Sequence, residues 1–264
     1  MTSLAAWPGI DPRGASTIYI VSDSRMVWGE AANYRDDCKK VFACKDSPDI
    51  FGYYGHVLVP QKVLPQLEET PILATYDTSE KRHSALRTLA ESCVNALPAT
   101  HRAEFGIVHA SRDGVEMKSA FRLWHLHWTA QDEWIDEEIA IGYDSVPLIE
   151  CGSGARVVRN KTDASKIELG VVSRAVFTGF CDGLASDGDP FTGGVPQLVG
   201  LRRHGMGMHF GIVYGGKRYY RGDDRISFLD PLDVQWKNEL FENCSAITGA
   251  RLSNAQLQPR LKKR

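Results

Sequence analysis

The plainest chemical potential in the chain sits at its second residue. Thr2 directly follows Met1, and removing the methionine leaves a hydroxyl and an α-amine on one residue. A hydroxyl alone is a poor nucleophile, whereas a terminal amine titrates at about 7.7 to 8.0 and so supplies a neutral base at working pH. One residue then carries both the attacking group and its base. A small residue after Met1 is also an ordinary start, so the choice rests on the residues downstream of Thr2.

Other residue groups offer rival chemistry. His125 and His127 share one face of an expected strand and could ligate a metal, but no third ligand accompanies them, so the expectation is no metal and no cofactor. The run from Gly211 to Lys217 matches most of a phosphate-loop pattern, yet Arg218 stands where Ser or Thr should bind magnesium. The spacer is β-branched, which points to a Gly215-Gly216 hairpin turn. Trp124, Trp128 and Trp134 read as packing. The six cysteines are scattered without a C-x-x-C pair and read as reduced.

Composition narrows the classes further. The chain has 264 residues, 43% hydrophobic and 24% charged, with a formal charge of -2. Those values suit one globular domain and give no global attraction for nucleic acid or an anionic membrane. No run of eighteen apolar residues and no signal-peptide pattern occurs, so the expected location is cytoplasmic. Residues 2–250 are expected to form one domain, with 251–264 a basic C-terminal tail, frayed from Gln256 to Arg264.

The elements that must position Thr2 emerge from periodicity. Ser3 to Ile10 and Ser16 to Ser24 read as strands joined at Asp11-Pro12-Arg13-Gly14, with Pro8 marking an edge or a bulge. This hairpin places Thr2 at its open end, and strand alternation puts Tyr19, Val21, Asp23 and Arg25 on one face. Val41-Phe42 and Ile50 to Gly55 read as strands, and Val57 to Glu68 as a helix. A capping box at Asp77 and Glu80 opens a second helix, which runs to Pro98. Strands are then expected at Phe105 to Ser111, Ala120 to Thr129 and Trp134 to Ile141. Next come a helix from Leu169 to Ala185, strands from Met208 to Tyr214 and Arg218 to Arg221, and a closing helix from Asp233 to Cys244. This order predicts an α+β fold with two antiparallel sheets stacked between helical layers.

In series, these residues resemble the proteasome β-subunit family and its bacterial relatives among the N-terminal nucleophile (Ntn) hydrolases. Thr2 stands where the family's catalytic threonine is exposed. Ser22-Asp23-Ser24-Arg25 resembles the family's Ala-Asp-Ser-Arg strand end, and Gly29 falls at that motif's following glycine. Lys40 before Val41-Phe42 resembles the active-site lysine, with Lys39 beside it as the alternative. Gly55 after Phe51-Gly52-Tyr53-Tyr54 resembles the oxyanion glycine. Gly152-Ser153-Gly154 and Asp189-Pro190-Phe191-Thr192-Gly193-Gly194 resemble the family's Gly-Ser-Gly and Asp-x-x-Ser-Gly-Gly, Thr192 replacing a serine. The likeness spans roughly residues 2 to 220, although the first hairpin is several residues longer than the family's spacing between threonine and aspartate.

The resemblance implies a four-layer αββα sandwich and a threonine-type peptidase matured by loss of Met1. In that reading Thr2 attacks the carbonyl, Lys40 supplies positive charge with Asp23 as counter-charge, and the Gly55 N–H meets the oxyanion. Ser153, Asp189 and Thr192 would position the terminal amine, and Arg25 would be structural. It also implies peptide or unfolded protein as substrate, a homo-oligomer, and a separate ATPase that feeds it. A catalytically silent subunit for assembly or partner binding, and an amidase acting on small non-peptide amides, are the alternatives.

Overall fold

The computed structural model of the chain describes residues 2–186, 188–224 and 234–255. The expected hairpin is formed by β1 (Leu4–Asp11) and β2 (Gly14–Ser22), paired from Leu4↔Ser22 to Asp11↔Gly14. A bulge between Gly9 and Ile10 takes up one residue of its extra length. Beyond Ser22 the chain leaves the ladder, so Asp23 and Arg25 do not follow the expected alternation. Asp23 is fully buried, whereas Arg25 turns to Asp36.

A small hairpin, β3 (Met26–Val27) with β4 (Tyr34–Arg35), precedes β5 (Val41–Ala43) and β6 (Asp49–Gly55). Helix α1 (Leu58–Glu69) tolerates Pro60 in its first turn, where N–H groups lack intrahelical acceptors. Helix α2 (Ser79–Asn95) is capped by Thr78, whose hydroxyl accepts from Lys81 N, and not by the expected Asp77–Glu80 box. Asp77 pairs instead with the Lys81 side chain. Strands β7 (Phe105–Asp113), β8 (Ala120–Trp128) and β9 (Trp134–Glu138) extend β5 and β6 into a five-stranded antiparallel sheet in chain order.

The chain then returns to the first hairpin. Strand β10 (Ile149–Cys151) pairs with Leu4–Ala6 only, so β1 is a free edge by the time it reaches Pro8. Helices α3 (Ala155–Leu169) and α4 (Ser173–Leu184) come next, then β11 (Gln197–Arg202), β12 (Met208–Tyr214), β13 (Lys217–Tyr220) and β14 (Trp236–Asn238). The seven-stranded sheet has the order β10-β1-β2-β11-β12-β13, with β14 parallel to β12. Gly215 and Gly216, both at positive φ, close the β12–β13 hairpin, and no phosphate loop forms there.

Three elements differ from expectation. The helix expected from Leu169 to Ala185 is α4, which starts only at Ser173, and it is preceded by an unexpected helix, α3, that Gly170 at φ +81 ends. The buried stripe of α3 is Val158, Thr162, Ser165 and Leu169, correctly spaced but half polar, which hides it from a hydrophobic pattern. Strand β11 lies beside β2 in the sheet, yet Gly193, Gly194, Pro196 and Gly200 interrupt its signal. The expected closing helix is β14 and turns instead. Asn238 Oδ1 accepts from the N–H groups of Leu240 and Glu242, offering that backbone an alternative to a helix. Asp233 lies outside the described residues, as does the tail from Gln256 to Arg264. The expected boundary at 250 is crossed by Arg251, which bridges to Cys244, and by the buried Ala255.

Alternation along β1 explains how one strand serves two cores. Leu4 and Ala6 join Ile18, Ile20 and Val199 against Val41, Ile50 and Val108 of the five-stranded sheet. Ala5 and Trp7 point the other way, with Val21 and Phe210, onto Val158, Val176 and Phe180 of α3 and α4. On the far side of the five-stranded sheet, Phe42, Phe51 and Ile107 pack on Leu64, Leu67, Leu86 and Val94 of α1 and α2. The fold is thus mixed α and β, with antiparallel sheets and four α-helices among the described residues. Among those residues no helix is long and apolar enough to cross a membrane, and none of the six cysteines is in a disulfide.

A buried polar chain ties α2 to the five-stranded sheet. His109 Nε2 bonds Asp49 Oδ1 at 2.9 Å, its Nδ1 meets His83 Nδ1 at 3.0 Å, and Arg82 pairs with Asp49. Burial lowers His109 from 6.5 to about 4, against the opposing pull of Asp49. The unfolded chain therefore takes up this proton more readily, and stability falls as pH drops from 6.5 towards 4. We expect His109→Asn to remove up to about 1.4 kcal/mol per pH unit of slope in that window. Urea unfolding at stepped pH measures it, and an unchanged slope contradicts the assignment.

Candidate active site

Side chains from three separated segments meet at the open end of the β1–β2 hairpin. Lys40 Nζ donates to Asp23 Oδ1 at 2.8 Å and to Thr2 Oγ1 at 3.2 Å. Thr2 and Lys40 are 1% exposed and Asp23 is 0%, so these groups interact away from bulk water, where charge acts strongly.

Register sets the geometry. Just beyond the last ladder pair, Leu4↔Ser22, Asp23 N donates to Ser3 O at 3.1 Å and Ser3 N donates to the Asp23 side chain at Oδ1, 3.0 Å away. Arg25 N and Gly193 N donate to Asp23 Oδ2, so backbone and ammonium donors together compensate the burial of this carboxylate. Lys40 is fixed by its carbonyl, which accepts from Tyr53 N at 3.1 Å across the β5–β6 ladder. Lys39 is exposed. Of the two lysines, Lys40 is the one whose side chain contacts Thr2 and Asp23.

The glycine loops close around this centre. A Cβ at Gly152, which sits at φ +92, would overlap the Thr2 carbonyl, and Gly154 N donates to that carbonyl at 3.3 Å. Ser3 Oγ and Thr192 both crowd the point where a Gly154 Cβ would stand. Gly194, at φ +72, would meet Ser24 Oγ in the same way. Arg25 is held under the loop by both Asp36 oxygens, at 2.8 and 3.0 Å, and lies over the Tyr34 ring.

Gly55 occupies φ +81, where a Cβ would come 2.7 Å from the Glu104 carbonyl. His56 N bonds Glu104 O on the β7 side, and Tyr53 N bonds Lys40 O on the β5 side. Antiparallel alternation then aims the Gly55 N–H to the Tyr53 side, past the end of β5. Gly55 and Ser153 both line a cavity of about 800 Å³ with Met26, Trp28 and Val57, and Ser153 is exposed there. Asp189 Oδ1 accepts from Phe191 N at 3.0 Å, its Oδ2 is buried without a hydrogen-bond partner, and Thr192 Oγ1 reaches Asp189 O only at 3.5 Å. Thr2, Asp23 and Lys40 are therefore directly joined, whereas no hydrogen bond among the described residues links Ser153, Asp189 or Thr192 to them, Ser153 lining the cavity beside Gly55 and Thr192 lying against Gly154.

One positioning residue escaped the sequence reading. Gln197, 1% exposed on β11, donates to Asp23 O at 3.0 Å and Cys38 O at 2.7 Å and accepts from Lys40 N at 3.2 Å. It clamps the end of β2 to the start of β5. Only a recognised β11 would have flagged it. We expect Gln197→Ala to cost about 2–4 kcal/mol, because it leaves buried backbone groups unsatisfied. Urea denaturation checks this, and a loss below about 0.5 kcal/mol, typical of an inert surface site, contradicts the clamp.

The rival histidines are engaged otherwise. His125 Nε2 meets Tyr54 Oη at 2.8 Å and His127 Nε2 meets Glu104 at 2.9 Å. Among the described residues no group of three or more His, Cys, Asp or Glu could hold a metal ion. The chain matches no known protein-family model and no curated protein sequence.

Proposed function

We propose that the chain is a threonine-type peptide hydrolase of the N-terminal nucleophile class, with the four-layer αββα architecture of proteasome β-subunits. The observation that carries this reading is the buried contact of Lys40 Nζ with both Thr2 Oγ1 and Asp23. It joins a hydroxyl, an ammonium and a carboxylate at the residue that methionine removal would expose. The packing of helices on the outer faces of two sheets whose inner faces share a core supports the architecture.

In this reading loss of Met1 yields the Thr2 amine. Thr2 Oγ attacks the scissile carbonyl carbon as its proton passes, through a water, to that amine. The Lys40 charge stabilises the developing alkoxide, Asp23 holds Lys40 in place, and the Gly55 N–H receives the oxyanion. The peptide nitrogen leaves with a proton, and water then cleaves the Thr2 ester to return the hydroxyl. The cavity beside Gly55 takes the neighbouring substrate side chain, and its Trp28, Met26 and Val57 walls favour an apolar one. Asp189, Thr192 and Ser153 orient the amine. A homo-oligomer enclosing its sites in the cytoplasm, fed by an ATPase, completes the proposal. No metal or cofactor enters it.

The 1% exposure of Thr2 favours a second reading, a silent subunit used for assembly. A fluorogenic peptide panel set against simple amides separates these readings. Turnover of peptides supports the peptidase, turnover of amides alone means an amidase, and no turnover by protein lacking Met1 means a silent subunit.

A further inference from the structure

A second cavity lies at the far end of β1, about 20 Å from Thr2 at the rise of an extended strand. It measures about 340 Å³, and its walls include Gly9, Tyr19, Ser173, Arg174, Lys237 and Phe241. Two of these residues are buried cations, Arg174 at 4% exposure and Lys237 at 8%. Lys237 Nζ donates to the Phe241 carbonyl at 3.3 Å and lies 4.4 Å from the centre of the Phe241 ring and 5.9 Å from that of Phe210. None of the ion pairs among the described residues involves it. An ammonium has three N–H donors, so one carbonyl leaves it with capacity to spare.

The surrounding charge points the same way. Burial, reinforced by Arg202, lowers the Lys237 amine to about 8, and burial lowers Arg174 against the pull of Glu242. Asp144 is the acidic side chain on the cavity wall, and it is exposed. Helix α4 begins at this wall. Its N-cap, Val172, makes no side-chain capping bond, so the first turn adds its own positive potential. A buried ammonium without an ion pair among the described residues opposes folding, and an anion bound against Lys237 removes that penalty.

We propose that this cavity binds a small phosphate-bearing molecule, its phosphate held by Lys237 and Arg174 at the start of α4 and its organic part against Tyr19 and Phe241. Two cations match a phosphate dianion better than a single carboxylate, and a guanidinium fork beside a helix start suits its several oxygens. The volume, near the lower end for ligand pockets, fits a sugar phosphate and is too small for a nucleoside triphosphate.

Calorimetric titration of the full chain with inorganic phosphate, glucose 6-phosphate, glucose and citrate tests the site. Saturable binding of both phosphate probes and none of glucose is expected. Lys237→Met should weaken glucose 6-phosphate binding at least about tenfold, and Lys237→Arg should keep it within about threefold. Lys237→Met sets an apolar side chain among aromatic rings and is expected to fold. Should it not fold, Arg174→Lys, which keeps charge but loses the fork, must weaken the same titration severalfold. The proposal is overturned if neither phosphate probe saturates, if the tested variant binds as the parent does, or if citrate binds more tightly than the phosphates.

Discussion

If the chain is the proposed peptidase, replacing Lys40 by methionine is expected to lower kcat by about a thousandfold, the scale for removing the group that activates a nucleophile. The same change removes one partner of a buried ion pair, which ordinarily costs about 3–5 kcal/mol. Here the cost falls near the lower end, because Asp23 retains the N–H groups of Ser3, Arg25 and Gly193. Asp23→Ala is the harsher change for folding, since it strands the Lys40 ammonium with Thr2 Oγ1. Circular dichroism and urea unfolding therefore separate lost chemistry from lost structure. A folded Lys40→Met protein with turnover within about threefold of the parent would make Lys40 merely structural.

Thr2→Ala produces the second large effect. Alanine is smaller than threonine, so processing at Met1 and the terminal amine are retained while the hydroxyl is lost. Under the proposed function, turnover is expected to fall by at least about a thousandfold. The buried site loses a hydroxyl and a methyl group, so unfolding free energy changes by only about 1–2 kcal/mol. Thr2→Ser keeps the nucleophile and retains measurable turnover. Equal activity of the alanine and serine variants would remove Thr2 from the chemistry and leave the cluster a structural one.

How much of this was legible in the sequence depends on how local each signal is. The β1–β2 hairpin was, because the β-branched run from Ser16 to Ser22 and the turn at Pro12-Arg13 are both local. Asp23, Lys40 and the glycine loops could be singled out by the resemblance of their local motifs, taken in order, to those of a known family. Their mutual contact could not, since it depends on the β1–β2 register and the Gly9 bulge. Lys40 is preferred to Lys39 in the sequence because it directly precedes Val41, and it is the Lys40 side chain that reaches Asp23 and Thr2. Strand β11 escaped notice because its glycines and Pro196 obscured the period, and Gln197 went with it, although its partners lie more than 150 positions away. Helix α3 was hidden by a buried face that includes Thr162 and Ser165. The closing helix failed because Asn238 diverts the backbone bonds of Leu240 and Glu242.

The most direct measurement is the intact mass of the untagged protein before and after a threonine-directed acylating inhibitor, with the adduct mapped by peptide mass. The account predicts a mass lacking one methionine, then gain of one inhibitor on the peptide beginning at Thr2. A mass retaining Met1, or an adduct absent from Thr2 in protein that has lost Met1, would contradict it.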